Sequence, residues 1–166
     1  MKLLRSGGGL FRFELDGSEK ELLCGLLRLY PVTPAAHHQL SQGRALPRCE
    51  EAQRMLDESL QSHREENRRQ VLALLNQPGR FEKCPAGHQA DFNRGEIEWL
   101  LQVINDVRIG SWLALGSPGL RQERKMRLNL DQETVGRLLT MEASAFFEMQ
   151  FLSALTGEPA ASPDNS

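Results

Sequence analysis

Residues 97–115 read IEWLLQVINDVRIGSWLAL, and this stretch decides the predicted fold of the chain. Its apolar side chains recur every three or four residues, which is the spacing of one face of an α-helix. Asn93 stands before the pattern and Glu96 follows three residues later, a combination that predicts a helix N-terminus closed by a capping box. A Gly-Ser-Pro-Gly run at 116–119 then breaks the pattern. We therefore predict a helix over about 94–115.

Three more segments predict helices on either side of this one. Ser18 and Glu21 predict another capping box, which opens a leucine-rich helix that Pro31 ends. A long charged pattern from about 48 to 77 predicts a second helix, whose polar middle is typical of a solvated face. The apolar spacing over about 132–155 predicts the last helix.

Extended structure is predicted at one place, LFRFEL at 10–15, where apolar and polar side chains alternate with a period of two. This pattern predicts a short strand or an extended arm. The composition of residues 31–47 and 80–92 predicts loops. Four main helices with one short N-terminal arm favour an all-α fold, a helical bundle.

The size and composition of the chain predict a single folded domain. It has 166 residues, of which 40% are hydrophobic and 25% charged, as in ordinary globular proteins. We predict one helical domain over 10–156, preceded by a flexible leader over 1–9 that contains the glycine triplet. Residues 157–166 are polar and proline-rich and predict a disordered tail.

The charge balance predicts which partners the protein lacks. A formal net charge of −2 argues against a nucleic-acid partner, and the basic run at 121–127 is interpreted as solvated linker charge. No apolar run approaches the ~20 residues that cross a bilayer, and no signal peptide is visible, so we expect no membrane partner and a cytoplasmic location.

Polar side chains interrupt the apolar face of the helix at 94–115. Arg108 falls on that face one turn from Ile104, Asn105 borders it, and Asp106 is turned away from it. A guanidinium between apolar helices needs a partner, because an unpaired buried charge is costly. Glu148 stands among aromatic residues of the last helix, and we predict an Arg108–Glu148 ion pair between the two helices.

Two interpretations of this polar group stay open at the level of sequence. The group either fixes how the helices align, or it forms a pocket for a small anion or a peptide carboxylate, which the planar fork of arginine suits. The candidate binding residues are Asn105, Asp106, Arg108, Trp112 and Glu148.

The order of these segments resembles that of a bacterial family known as domain of unknown function two thousand and seventeen. The likeness covers most of residues 10–155, and its most specific parts are Trp99, the Ile-Asn-Asp-Val-Arg run at 104–108, and Glu148. The chain departs from the family pattern in its loops and in the basic stretch at 120–130. The family has no established enzymatic activity, so the resemblance implies a fold and no reaction.

Other side chains carry weaker functional hypotheses. Cys24, Cys49 and Cys84 are widely spaced without a CxxC motif; we interpret them as reduced thiols, and as the candidates for a redox switch. Cys84 and His88 have the right ligand types for zinc, but a single pair is a weak metal motif. No phosphate-binding or dinucleotide-binding motif is present, so no cofactor is expected.

These observations predict a non-enzymatic protein-binding or regulatory module. The expected binding surfaces are the groove beside Asn105 and Arg108 and the loops at 31–47 and 80–92. A redox- or small-ligand-sensing regulator is the alternative, and a metal-dependent or cysteine enzyme is the third possibility.

Overall fold

A computed structural model of the chain describes residues 1–32, 49–117, 119 and 131–157. Within these ranges the chain forms four strands and four helices. The strands are β1 (Lys2–Gly7), β2 (Leu10–Leu15), β3 (Glu82–Cys84) and β4 (Gly87–Asn93), and the helices are α1 (Gly17–Arg28), α2 (Cys49–Asn76), α3 (Arg94–Ala114) and α4 (Gln132–Thr156). Residues 33–47 of the predicted loop, the basic run at 121–127 and residues 158–166 of the predicted tail lie outside the described residues.

The fold is α+β, so the prediction of an all-α helical bundle was wrong. The four strands form one antiparallel sheet in the order β1-β2-β4-β3. The strand predicted at 10–15 is confirmed, but it lies inside the sheet rather than being an isolated arm. The segment 80–92, predicted as a loop, contains β3 and most of β4. Strand β4 buries only Ala90 and Phe92 on its inner side, and its many polar residues resemble a loop in composition.

The predicted leader over 1–9 is also corrected, because it forms β1 and the turn of a β-hairpin. Gly8 and Gly9 have φ angles of 62° and 79°, which only glycine adopts easily. In a two-residue hairpin, a turn with positive φ at both of its residues matches the twist of the two strands that it joins. The glycine triplet is therefore the reason why β1 folds back along β2.

The helix boundaries agree with the sequence prediction for α2, α3 and α4 to within one residue. The Asn93–Glu96 capping box of α3 is confirmed. The capping box of α1 was predicted two residues too late, because Asp16 and Glu19 form it instead of Ser18 and Glu21. Asp16 follows β2 directly, so the strand runs into α1 without a loop.

The core lies between the inner face of the sheet and the helices. Phe13 of β2, Phe92 of β4 and Phe151 of α4 are fully buried and meet edge to face, with ring centroids 5.4 to 6.0 Å apart. Helix α2 joins this core through Val71 and Leu74 in its C-terminal half.

Some large apolar side chains of α2 and α4 are exposed. Met55 near the start of α2 is 64% exposed, and Leu139 in α4 is 58% exposed. None of the helices in the described ranges is long and apolar enough to span a bilayer.

Candidate functional site

Arg108 and Glu148 form the predicted ion pair between α3 and α4. Arg108 Nε lies 3.3 Å from Glu148 Oε2, and Arg108 Nη2 donates to Asn105 Oδ1 at 3.2 Å. The pair is asymmetric, because the Arg108 side chain is 43% exposed and that of Glu148 only 14%. The guanidinium therefore lies at the rim of the α3–α4 contact, and the acid is the buried partner.

Burial dominates the electrostatics of Glu148. Its atom Oε1 is buried and accepts no hydrogen bond from the described residues. Burial raises the pKa of the Glu148 carboxyl, and the positive charge of Arg108 offsets only part of that rise. The ionised form of Glu148 is thus less favourable in the folded protein than in the unfolded chain.

We expect Glu148→Gln to be at least as stable as the wild type at neutral pH. The folded-state pKa of Glu148 lies above the unfolded value, so wild-type stability falls as the pH rises through the interval above its ordinary value of 4.5. Glutamine keeps the shape of the side chain without the charge, and the variant should lose this decline. Urea unfolding at several pH values measures the difference.

Glu58→Gln, at an exposed α2 position, is the control. A variant clearly weaker than wild type at neutral pH would show that the Arg108 attraction outweighs desolvation.

The structure separates Asp106 from the other predicted site residues. Arg108, Asn105 and Glu148 lie together, whereas Asp106 lies near Tyr30, at the end of α1. Burial raises the pKa of the Tyr30 phenol, and the negative charge of Asp106 adds to the rise. The charge of Asp106 therefore acts on Tyr30, beside which a second polar cluster lies.

That second cluster, which sequence reasoning missed, joins three helical segments. Trp99 Nε1 donates to Asn67 Oδ1 at 3.0 Å, and Asn67 Nδ2 donates to Tyr30 Oη at 3.2 Å. A single amide of α2 thus contacts α3 and the end of α1. Asn67 gave no signal in the sequence, because it lies in the run at 61–70 that was interpreted as a solvated face. The hydrogen bonds of Asn67 to Tyr30 and Trp99 hold these segments together, so the cluster is best explained as structural.

A groove of about 390 Å³ runs beside Arg108, between the C-terminal half of α3 and the first half of α4. Its walls are mainly apolar. The lining residues are Arg108, Ile109, Trp112, Leu138, Met141, Glu142 and Ala145. Ile109 and Trp112 are 41% and 36% exposed. Apolar side chains that line an exposed concave surface are typical of a protein interaction site.

The charges around this groove do not favour a free anion. The positive charge of Arg108 is paired with the adjacent Glu148, which does not line the groove, and among the lining residues Glu142 contributes a negative charge. The fork of Arg108 is already engaged by Asn105 and Glu148. The groove is therefore weakly acidic as a whole, and the anion pocket considered from the sequence has less support than an apolar docking surface.

A second cavity, of about 370 Å³, lies on the outer face of the sheet and is polar. Arg12 donates to both oxygens of Asp91 at 2.7 and 2.6 Å, which holds the pKa of that carboxyl below its usual value. Arg80 pairs with Glu96 at 2.5 Å, donates to the Asp91 carbonyl and lies over the Phe92 ring. Both arginines are thus paired with acidic side chains of the chain itself. We therefore interpret the polar residues around this cavity as a structural network, which forms when the strands of the sheet pair.

The cysteine and metal hypotheses gain no geometric support within the described residues. Cys24 is a buried free thiol whose pKa is raised by burial, which makes it a poor nucleophile. Cys84 is a free thiol on β3, and the side chain of Cys49 is outside the described part. His88 lies on the paired strand β4, but the described residues contain no group of three potential metal ligands around it.

Comparison with known proteins identifies no relative of the chain. No family model, curated protein or solved structure matches the chain.

Proposed function

We propose that this protein is a non-enzymatic binding module that holds an amphipathic helix of a partner protein in the groove between α3 and α4. The observation that carries the proposal is the exposed apolar lining of the groove, with Ile109 and Trp112 on one wall and Met141 and Ala145 on the other. A groove between two packed helices has the shape that receives a third helix.

The charge of the groove defines the partner further. Glu142 is exposed on the α4 wall, and the positive charge of Arg108 is paired with the buried Glu148, so Glu142 is the acidic side chain of the lining that a partner meets. A partner helix with an apolar stripe and flanking lysine or arginine side chains complements both features. An acidic helix would meet Glu142 and be repelled.

Two synthetic helical peptides with the same leucine stripe, one flanked by lysine and one by glutamate, test the proposal. We expect the lysine peptide to bind, and Trp112→Ala to weaken its affinity by about tenfold or more, because exposed tryptophans in grooves are typical anchors. Leu72→Ala is the matched control, since Leu72 is 47% exposed on α2 and does not line the groove. Fluorescence anisotropy of labelled peptide gives the dissociation constants. Failure of the lysine peptide to bind, or equal affinity for wild type and Trp112→Ala, would contradict the proposal.

We also propose that the chain is cytoplasmic and belongs to the family that it resembles. The support for membership is the motif at 104–108 together with Trp99 and Glu148, and in the structure Arg108 contacts Glu148 while Trp99 binds Asn67. An experimental structure of an established family member tests whether this chain belongs to the family. The same order of strands in the sheet and the same ion pair would support membership, and a fold without this sheet would contradict it.

A further inference from the structure

Strand β1 forms one edge of the sheet, and among the described elements only β2 pairs with it. Most of its side chains are exposed, including Leu4 at 40%. The open side of an edge strand presents backbone N–H and C=O groups that can pair with another extended segment. A fifth strand can therefore be added at β1.

The charge along β1 is basic. Lys2 and Arg5 are its two charged side chains, and the strand contains no acid. The register pairs Lys2 with Glu14 and Arg5 with Arg12. An irregularity in the pairing between Leu3 and Arg5 inserts one extra residue, so that both basic residues lie on the outer face of the sheet.

Arg5 lies opposite Arg12, which is also positively charged and is already paired with Asp91. Arg12 is held by both oxygens of Asp91, and within the described residues Arg5 forms no ion pair. Asp91 offsets the charge of Arg12, whereas no acid of the described residues pairs with Arg5. A carboxylate that approached from the open side of β1 would supply that partner.

We infer that the open edge of β1 binds an extended segment of another protein with aspartate or glutamate at alternate positions. Backbone hydrogen bonds supply the affinity, and a carboxylate beside Arg5 supplies the selectivity. A second copy of this chain does not fit, because edge-to-edge pairing would place the basic β1 against itself. Charged side chains and bulges at a sheet edge generally prevent it from pairing with arbitrary strands of other chains. At β1 the same positive charges favour an acidic strand.

The test uses the full chain and two short peptides, one alternating valine with glutamate and one alternating valine with lysine. At low ionic strength we expect the glutamate peptide to bind and to slow hydrogen exchange of the β1 amides. Arg5→Glu should weaken this binding by about tenfold and permit binding of the lysine peptide. Arg28→Glu, at an exposed position of α1, should leave the affinity unchanged.

Three results would overturn the inference. They are no binding of the glutamate peptide, equal affinity for wild type and Arg5→Glu, and protection of amides away from β1. Trp112→Ala should not alter this interaction, so its outcome is independent of the groove between α3 and α4.

Discussion

Gly87→Ala is expected to lower the free energy of unfolding by about 3 kcal/mol or more, or to prevent folding altogether. Gly87 is the first residue of β4 and has a φ of 137°, a backbone conformation that residues with a side chain rarely adopt. A Cβ at this position would lie 2.4 Å from the backbone oxygen of Leu15 and 3.0 Å from Cα of Asp16. Those atoms belong to the direct link between β2 and the N-cap of α1, so they cannot retreat without disturbing the sheet and the helix together.

Gly8→Ala is the matched control for this prediction. Gly8 also has a positive φ, of 62°, but no atom lies within 4 Å of the position that its Cβ would take. Its substitution should cost only the conformational strain, of order 1 kcal/mol. Urea denaturation of both variants separates the two costs. Equal losses in the two variants would show that the backbone contact at Gly87 yields easily and that the β2–α1 link is not rigid.

The helices could be predicted from the sequence because α1, α3 and α4 repeat their apolar spacing over several turns and α2 carries a long pattern of charges at helical spacing. Strand β2 could also be predicted, but the other three strands of the sheet could not, for reasons that differ from one to the next. Strand β3 has three residues, too few for any period, and β1 is an exposed and irregular edge strand. Strand β4 alternates, but the polar side chains on its outer face dominate its composition. Strand β2 pairs with β1 and also with β4, which is far away in the chain, and local patterns carry no information about such distant pairing.

The candidate site was predictable only where a charge breaks an apolar pattern. Arg108 and Glu148 each stand out against apolar neighbours, and the structure joins them. Asn67 lies in a polar run where nothing distinguishes it, so its contact with Trp99 could not be foreseen. The bond between Arg12 and Asp91 depends on the β2–β4 register, so predicting it required the sheet that the sequence analysis missed.

The α+β architecture makes α4 essential to the sheet, and Phe151→Ala tests this directly. Phe151 is fully buried, with ring centroids 5.4 Å from Phe13 and 5.7 Å from Phe92. Truncation leaves a cavity between helix and sheet, and we expect a loss of about 3–5 kcal/mol in the free energy of unfolding. Leu152→Ala, one residue away at a side chain that is 50% exposed, should cost less than about 1 kcal/mol.

The double variant Phe13→Ala and Phe151→Ala shows whether the loss arises at the contact between α4 and β2. Edge-to-face aromatic pairs contribute about 1 kcal/mol beyond the area that they bury, so the two losses should not add. Chemical denaturation of the single and double variants gives the coupling energy. Additive losses, or a Phe151→Ala variant as stable as Leu152→Ala, would mean that α4 does not pack on the sheet. In that case the groove between α3 and α4 would also lose the support that fixes its shape, because α4 forms one of its walls.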